Sequence, residues 1–215
     1  MRARTGADDD RGMYVPAHFA ADDATTRDLL RGIASGHLVT HGAAGLQSTL
    51  LPLLVHEGPD GVALQGHLAR NNPQWQDAGP ALVIVPGAQA YITPSWYAAK
   101  REHGRVVPTW DYTVLHVYGR LVAHDDAAWT EDVVRRLTDH HEADRDEPWS
   151  VDDAPAQFVA GQLRAIVGVE LVVERVEAKL KWSQNRSADD IDGVVAGLAS
   201  NGDGEAAALV ERYRP

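Results

Sequence analysis

The spacing of apolar residues changes several times along the chain. Residues 22–35 carry Leu29, Leu30 and Ile33 on one face of a 3.6-residue period. This predicts a helix capped by Asp22 or Asp23 and running to about Ser35, with Gly36 ending it. The period then shortens. "HLVTH" (37–41), "LQSTLLPLLVH" (46–56) and "VALQGHL" (62–68) are alternating or β-branched runs between glycine-rich turns. "ALVIV" (81–85) and "QAYIT" (89–93) follow, divided by Pro86-Gly87, a turn signal. Residues 94–110 read as irregular and aromatic. "YTVLHVYGRLVAH" (112–124) and "VGVELVVERVEAKLKW" (167–182) are long strand patterns. Between them lie two helical segments, "DDAAWTEDVVRRLTDHHE" and "DDAPAQFVAGQLRAI". "SADDIDGVVAGLAS" and "GEAAALVERY" predict C-terminal helices.

Six or seven strands joined mostly by short turns imply a mainly β fold with peripheral helices, an antiparallel barrel or sandwich. A parallel doubly wound sheet would need strands alternating with helices, and that alternation is missing. No GxGxxG or GxxxxGK[ST] pattern occurs.

Composition narrows the classes. The chain has 215 residues, 44% apolar and 24% charged, enough to bury a core. Its apolar runs are too short for a membrane-spanning helix. The polar start "MRARTGADDDRGM" lacks the apolar stretch of a signal peptide. We therefore expect a cytoplasmic protein with residues 1–12 as a disordered leader, 13–199 as the main domain and 200–215 as a helical tail. Cysteine is absent, which removes disulfides, thiolate catalysis and Cys-ligated metal. A net charge of −11 and the lack of a helix-turn-helix pattern argue against direct binding of nucleic acid. A local basic pocket for a small anion would still stand out.

Three segments are candidates for such a pocket. In "GHLARNNPQW" (66–75), Arg70 precedes Asn71 or Asn72 as a helix cap, with Pro73 just inside. Free N–H groups beside a guanidinium suit phosphate, although a plain capped helix with a surface arginine explains that segment alone. "YITPSWYAAKREHGRVVPTWDY" (91–112) holds Tyr91, Trp96, Tyr97 and Trp110 with Lys100, Arg101, His103 and Arg105. An aromatic, cationic loop suits a flat anionic ligand, and equally suits packing on a barrel end or a dimer contact. "KLKWSQNR" (179–186) holds two of the chain's three lysines. There Trp182 could wall a flat ring, and Gln184 and Asn185 could pair with an imide edge. A solvated basic turn is the simpler account.

The histidines give no such cluster. His140 and His141 point about 100° apart on a helix, and HExxH spacing is absent. No metal site is expected, and no nucleophile signature marks a catalytic residue.

Together, in this order, "MYVPAHF" (13–19), "GHLARNNPQW", "AYITPSWYAAKREHGRVVPTWDYTVLHVYGRL" (90–121), "RLTDHHE" (136–142), "PWSVDDAP" (148–155), "LRAIVGVEL" (163–171) and "KLKWSQNR" resemble the PaiB-type FMN-binding transcriptional regulators. The resemblance covers Met13 to about Leu198. It implies an FMN-binding split β-barrel and a homodimer with FMN sites at the interface. It also implies site residues. Arg70 and Asn72 would hold the phosphate with Ser48 and Thr49 nearby. Lys179, Trp182, Gln184, Asn185 and Arg186 would border the isoalloxazine ring. Tyr91, Ser95, Trp96 and Lys100 would line the same cleft. One position departs: after "LQST" the family usually carries a histidine, and here Leu50 stands there. Weak or lost FMN binding is the consequence to look for.

Three functions follow in order: a flavin-dependent sensor acting indirectly on transcription, an FMN-dependent oxidoreductase or flavin reductase using NAD(P)H or a small substrate, and a haem-binding split barrel with His37, His41, His67 or His116 as axial ligand.

Overall fold

A computed structural model of the chain describes residues 12–59 and 61–215. The expected leader, residues 1–12, lies outside them except for Gly12. Seven strands form one antiparallel sheet in the order β2-β1-β5-β6-β7-β4-β3. They are β1 (Ser35–Gly42), β2 (Gly45–Pro52), β3 (Leu54–Gly58), β4 (Gly61–Ala69), β5 (Gly79–Ile92), β6 (Thr109–His124) and β7 (Ile166–Lys181). The helices are α1 (Asp23–Arg31), α2 (Ala98–Glu102), α3 (Ala127–Glu142), α4 (Ala156–Leu163), α5 (Ala188–Ser200) and α6 (Gly204–Arg212). No helix among the described residues is long and apolar enough to cross a membrane.

Two compact units share these elements. Residues 27–85 and 116–176 form the first, and the second takes 86–115 and 177–215 together with residues 12–26. The long strands β5, β6 and β7 contribute residues to both.

The first unit is a barrel. β2 pairs with β1 through Pro52, and β3, beginning at Leu54, pairs with β4. The single residue between, Leu53, donates its N–H to the Ala34 carbonyl at 2.9 Å. One continuous stretch therefore joins the two ends of the strand order, removing the open edges that a flat sheet would leave. The sequence pattern reads this stretch as one strand, whereas the chain bends at Leu53. Inside lie Leu38, Leu51, Leu53, Leu64, Leu68, Val83, Val117, Leu121, Val167, Val169 and Leu171, each buried. Val133 and Leu137 of α3 are also buried.

The second unit is smaller. Buried Phe19, Ala90, Ile92, Tyr97, Leu115, Leu180 and Trp182 form its core with Ile191, Val194 and Leu198 of α5 and Val210 of α6. Asp203 caps α6 by accepting from the Ala206 N–H at 3.1 Å.

Several boundaries differ from the sequence reading. α1 stops at Arg31, and Gly36 lies inside β1. There a Cβ would sit 2.6 Å from a Val83 methyl, so Gly36 is a close-approach residue and not a helix stop. Pro86-Gly87 does not turn the chain, since β5 runs through it. β1 pairs with β5 only from Ala81 to Ile84. Pro86 lies past that ladder, so its missing N–H breaks none of those bonds. Residues 94–110 contain a 3-10 turn at Pro94–Trp96 and then α2. The "DDAPAQFVAGQLRAI" segment is a 3-10 turn at Val151–Asp153 followed by the short α4.

Close packing makes a sharp test of the barrel. A Cβ on Gly119 of β6 would lie 2.1 Å from the Val172 carbonyl oxygen of β7. Backbone must shift to admit it, so Gly119→Ala should lower stability by about 1–3 kcal/mol or more. The expected result is a lower urea midpoint at unchanged slope; an unchanged midpoint would contradict this packing.

Candidate functional site

The sequence-predicted site residues fall into two groups, one in each unit.

In the second unit, the organising group is Asp111 of β6. Its side chain is wholly buried. Strand alternation puts Asp111 and Thr113 on the buried face, and Trp110 and Tyr112 on the outer one. Lys181, the last residue of β7, donates to Asp111 Oδ1 at 3.1 Å, to Thr109 Oγ1 at 2.8 Å and to the Trp110 carbonyl. Ser183 Oγ donates to Asp111 Oδ2 at 2.6 Å. Ser183 has φ 62°, the left-handed region that residues with a Cβ seldom enter. Its bond to a buried carboxylate is what holds it there.

The rest of "KLKWSQNR" follows from this knot. Trp182 turns into the core, fully buried, and its indole N–H donates to Thr113 Oγ1 at 2.9 Å. Gln184 Oε1 accepts from the Trp182 backbone N–H at 2.7 Å, and its Nε2 donates to the Leu180 carbonyl at 2.6 Å. Arg186 lies over the Tyr97 ring at 4.5 Å. The Tyr97 hydroxyl is buried and meets no described group in hydrogen-bond geometry. Burial pushes its pKa up, partly offset by the Arg186 charge. Asn185 is exposed.

The outer face of the same unit is aromatic. Tyr91 and Trp110 meet edge to face with ring centroids 6.0 Å apart, 49% and 54% exposed. Lys179 Nζ sits 5.3 Å from the Tyr112 ring and 5.7 Å from that of Tyr14, and donates to the Tyr14 carbonyl at 3.2 Å. Lys100 donates to Ser95 Oγ at 3.0 Å on the surface. Trp96 packs against α5, where a Cβ on Gly197 would reach within 2.3 Å of its ring.

In the barrel unit, Thr49, Asn72 and a residue not foreseen, Gln74, form one network. Thr49 Oγ1 donates to Gln74 Oε1 at 2.6 Å and accepts from Asn72 Nδ2 at 3.0 Å. Gln74 is fully buried and donates to the Leu38 carbonyl at 2.9 Å. Asn72 caps the turn by accepting from the Gln74 N–H, but that turn is only the 3-10 segment Pro73–Gln76. It is too short for a helix dipole of consequence. Arg70 donates from Nε to the Arg164 carbonyl at 2.8 Å, and from Nη2 to Asp125 at 2.7 Å and the Ile166 carbonyl at 3.0 Å. Ser48 faces outward on β2 with Leu46 and Leu50. Leu50 stands opposite His37 of β1. His67 has a buried Nδ1 that meets no described group in hydrogen-bond geometry, and burial lowers its pKa, favouring the neutral ring.

The barrel topology defines a class. Two solved structures share the fold: the FAD and haem binding protein of Mycobacterium smegmatis and the flavocytochrome Anf3 of Azotobacter vinelandii. The first has a TM-score of 0.54 at 15% identity, over 82% of this chain and 78% of that one. The second has a TM-score of 0.54 at 13% identity, over 74% and 67%. The fold is that of the flavin-binding split barrels.

Residues 13–175 match the family described as "Putative FMN-binding domain". The chain is also 31% identical over 203 residues to the protease synthase and sporulation protein PAI 2 of Bacillus subtilis, covering 93% of this chain and 95% of that protein. A protein of Emericella nidulans is 30% identical over 230 residues, covering 88% and 92%. The chain belongs to this FMN-binding family, and FMN is its cofactor.

The buried carboxyl offers a check on the second unit. Burial, outweighing Ser183 and Lys181, raises the Asp111 pKa above the ordinary 3.8. The folded state then holds the Asp111 proton more tightly than the unfolded state. Its contribution to stability is therefore full below pH 3.8 and is lost as pH rises through the raised value. Asp111→Asn should remove that slope from the stability–pH curve. Asp111→Ala, which strands Lys181 and Ser183, should cost about 3–5 kcal/mol in chemical denaturation. A loss well under 1 kcal/mol would rule out the knot as a structural anchor.

Proposed function

We propose that the protein is a flavin-dependent sensor that acts on transcription indirectly, as a cytoplasmic homodimer. The observation that carries this reading is the outer surface of the second unit, where Tyr91 and Trp110 lie exposed on the face that also carries Tyr112 with Lys179 over its ring. Exposed aromatic rings next to an ammonium are costly to leave in water and suit a flat ring that gains negative charge on reduction. This donor set fits the isoalloxazine part of FMN. Lys100 and Ser95, linked to each other on the surface, could give polar contacts there. Trp182, Gln184 and Arg186 would support the surface from behind.

The barrel residues carry a separate proposal for a phosphate group. Ser48 offers an outward hydroxyl. Arg70 has its Nε and Nη2 engaged, which leaves Nη1 as the nitrogen to donate. Thr49 and Asn72 would position the segment through Gln74. The outward Leu46 and Leu50 on β2 would be covered by the second copy of a dimer. In this reading Leu50 is an interface residue, and its presence does not by itself remove FMN.

Bound FMN would supply one- or two-electron redox chemistry, with the protein setting orientation and electrostatics. The regulatory role draws on the resemblance noted in the sequence, beside a Bacillus subtilis relative whose name ties that protein to protease synthase and sporulation, and the indirect route on the charge of −11. The second reading, an FMN-dependent oxidoreductase, is favoured by one feature. The irregular segment after α2 holds His103, Arg105 and a 66%-exposed Val107, a surface on which a substrate could rest.

Trp110→Ala removes an exposed ring and Lys179→Ala a half-buried ammonium, so each should weaken FMN binding about tenfold in equilibrium dialysis, while the melting temperature of Trp110→Ala stays within about a degree or two. Unchanged affinity in both variants would remove the ring from this surface. Sustained FMN-dependent oxidation of NADH or NADPH by the pure protein would replace the sensor reading with the enzyme.

A further inference from the structure

Helix α4 in the barrel unit has no buried residue. Its sequence, AQFVAGQL, contains no charged side chain either. Helices that present all faces to water normally carry charges, because an apolar helix gains its stability by burying one side. Here Val159 and Leu163 are half-buried, and Phe158 is 58% exposed. Just upstream, Trp149 is 48% exposed. None of these residues enters the flavin reading.

The segment leading into α4 is strongly acidic. Residues 142–153 hold six carboxylates, Glu142, Asp144, Asp146, Glu147, Asp152 and Asp153, against one cation, Arg145. Part of this charge is spent. Glu142 pairs with Arg145 at 3.1 Å and accepts from the Trp149 N–H. Asp152 pairs with Arg135 of α3 at 2.9 Å. Asp153 closes a capping box with Ser150, which fixes the turn directly before Pro155 and α4. Asp144, Asp146 and Glu147 are exposed and carry the remaining negative charge.

An apolar helix led into by exposed carboxylates has a definite complement. We propose that α4 and the preceding loop dock a basic amphipathic helix of a partner protein. The partner's apolar stripe covers Phe158 and Trp149, and its Lys or Arg residues meet Asp144, Asp146 and Glu147. Charge separates this occupant from two others. A second copy of the chain would bring the same acidic loop and oppose like charges. An anionic lipid surface would be repelled by the same carboxylates.

The test is calorimetric titration of the full chain with a synthetic amphipathic peptide of leucine and lysine, beside its leucine–glutamate counterpart. Phe158→Ser and the triple variant Asp144→Asn, Asp146→Asn, Glu147→Gln are the comparisons. All four positions are exposed, and the unfolding midpoint of each variant confirms that the fold is kept. The Leu/Lys peptide should bind the wild type, lose at least tenfold in affinity for each variant and weaken with salt, while the Leu/Glu peptide does not bind. Absence of Leu/Lys binding, or equal binding by Phe158→Ser, would overturn the proposal. So would self-association that Phe158→Ser abolishes in sedimentation, or binding to phosphatidylglycerol vesicles that Phe158→Ser abolishes.

Discussion

A carboxylate with no exposure to water must be met by donors, and in this protein that demand organises the C-terminal turn. Asp111 takes one hydrogen bond from Lys181 and one from Ser183. Satisfying it draws Lys181 out of solvent, holds Ser183 in a left-handed conformation and turns Trp182 inward onto Thr113. Removing either partner would leave a buried group uncompensated, which is why such knots are rigid. Alternation along β6 then fixes what remains outside. With Asp111 and Thr113 inward, Trp110 and Tyr112 face outward, Trp110 against Tyr91 and Tyr112 under Lys179. The aromatic surface proposed for the flavin ring is thus the other side of the strand that carries the buried carboxylate.

Within the barrel unit the same economy applies. Gln74, with no exposed surface, ties the 3-10 turn to Thr49 on β2 and to the Leu38 carbonyl on β1. Asn72 spends its side chain on Thr49 and on the turn, and Arg70 spends two of its nitrogens on backbone carbonyls and Asp125. Polar residues clustered in a motif can therefore be there to build a loop, and only the atoms left over can meet a ligand.

That distinction marks where the sequence was legible. Strand count, antiparallel class and the long strand at 112–124 came through, because a period of two survives in residues 109–124 whatever they pack against. The cap at Asp22 came through for the same local reason. Pro86-Gly87 misled because a turn signal is local, while its outcome depended on where β1 stops pairing. The ion pair of Asp111 with Lys181 spans 70 residues, so nothing near either residue announces it. "KLKWSQNR" therefore looked like free cations and amides, when much of it is internal structure. Trp110 was visible as one aromatic among several. Its exposure could have been read from the alternation that sends Asp111 inward.

An exposed aromatic surface receives the flavin ring in the proposed site, and flavin fluorescence reports on that directly. Tyrosine and tryptophan rings stacked on an isoalloxazine quench its emission. Titrating FMN with the purified protein should quench the flavin emission saturably, with Trp110→Tyr retaining the effect and Trp110→Ala losing most of it. Emission that stays at the level of free FMN throughout the titration would contradict the account. So would quenching unchanged in Trp110→Ala, which would place the ring on other residues.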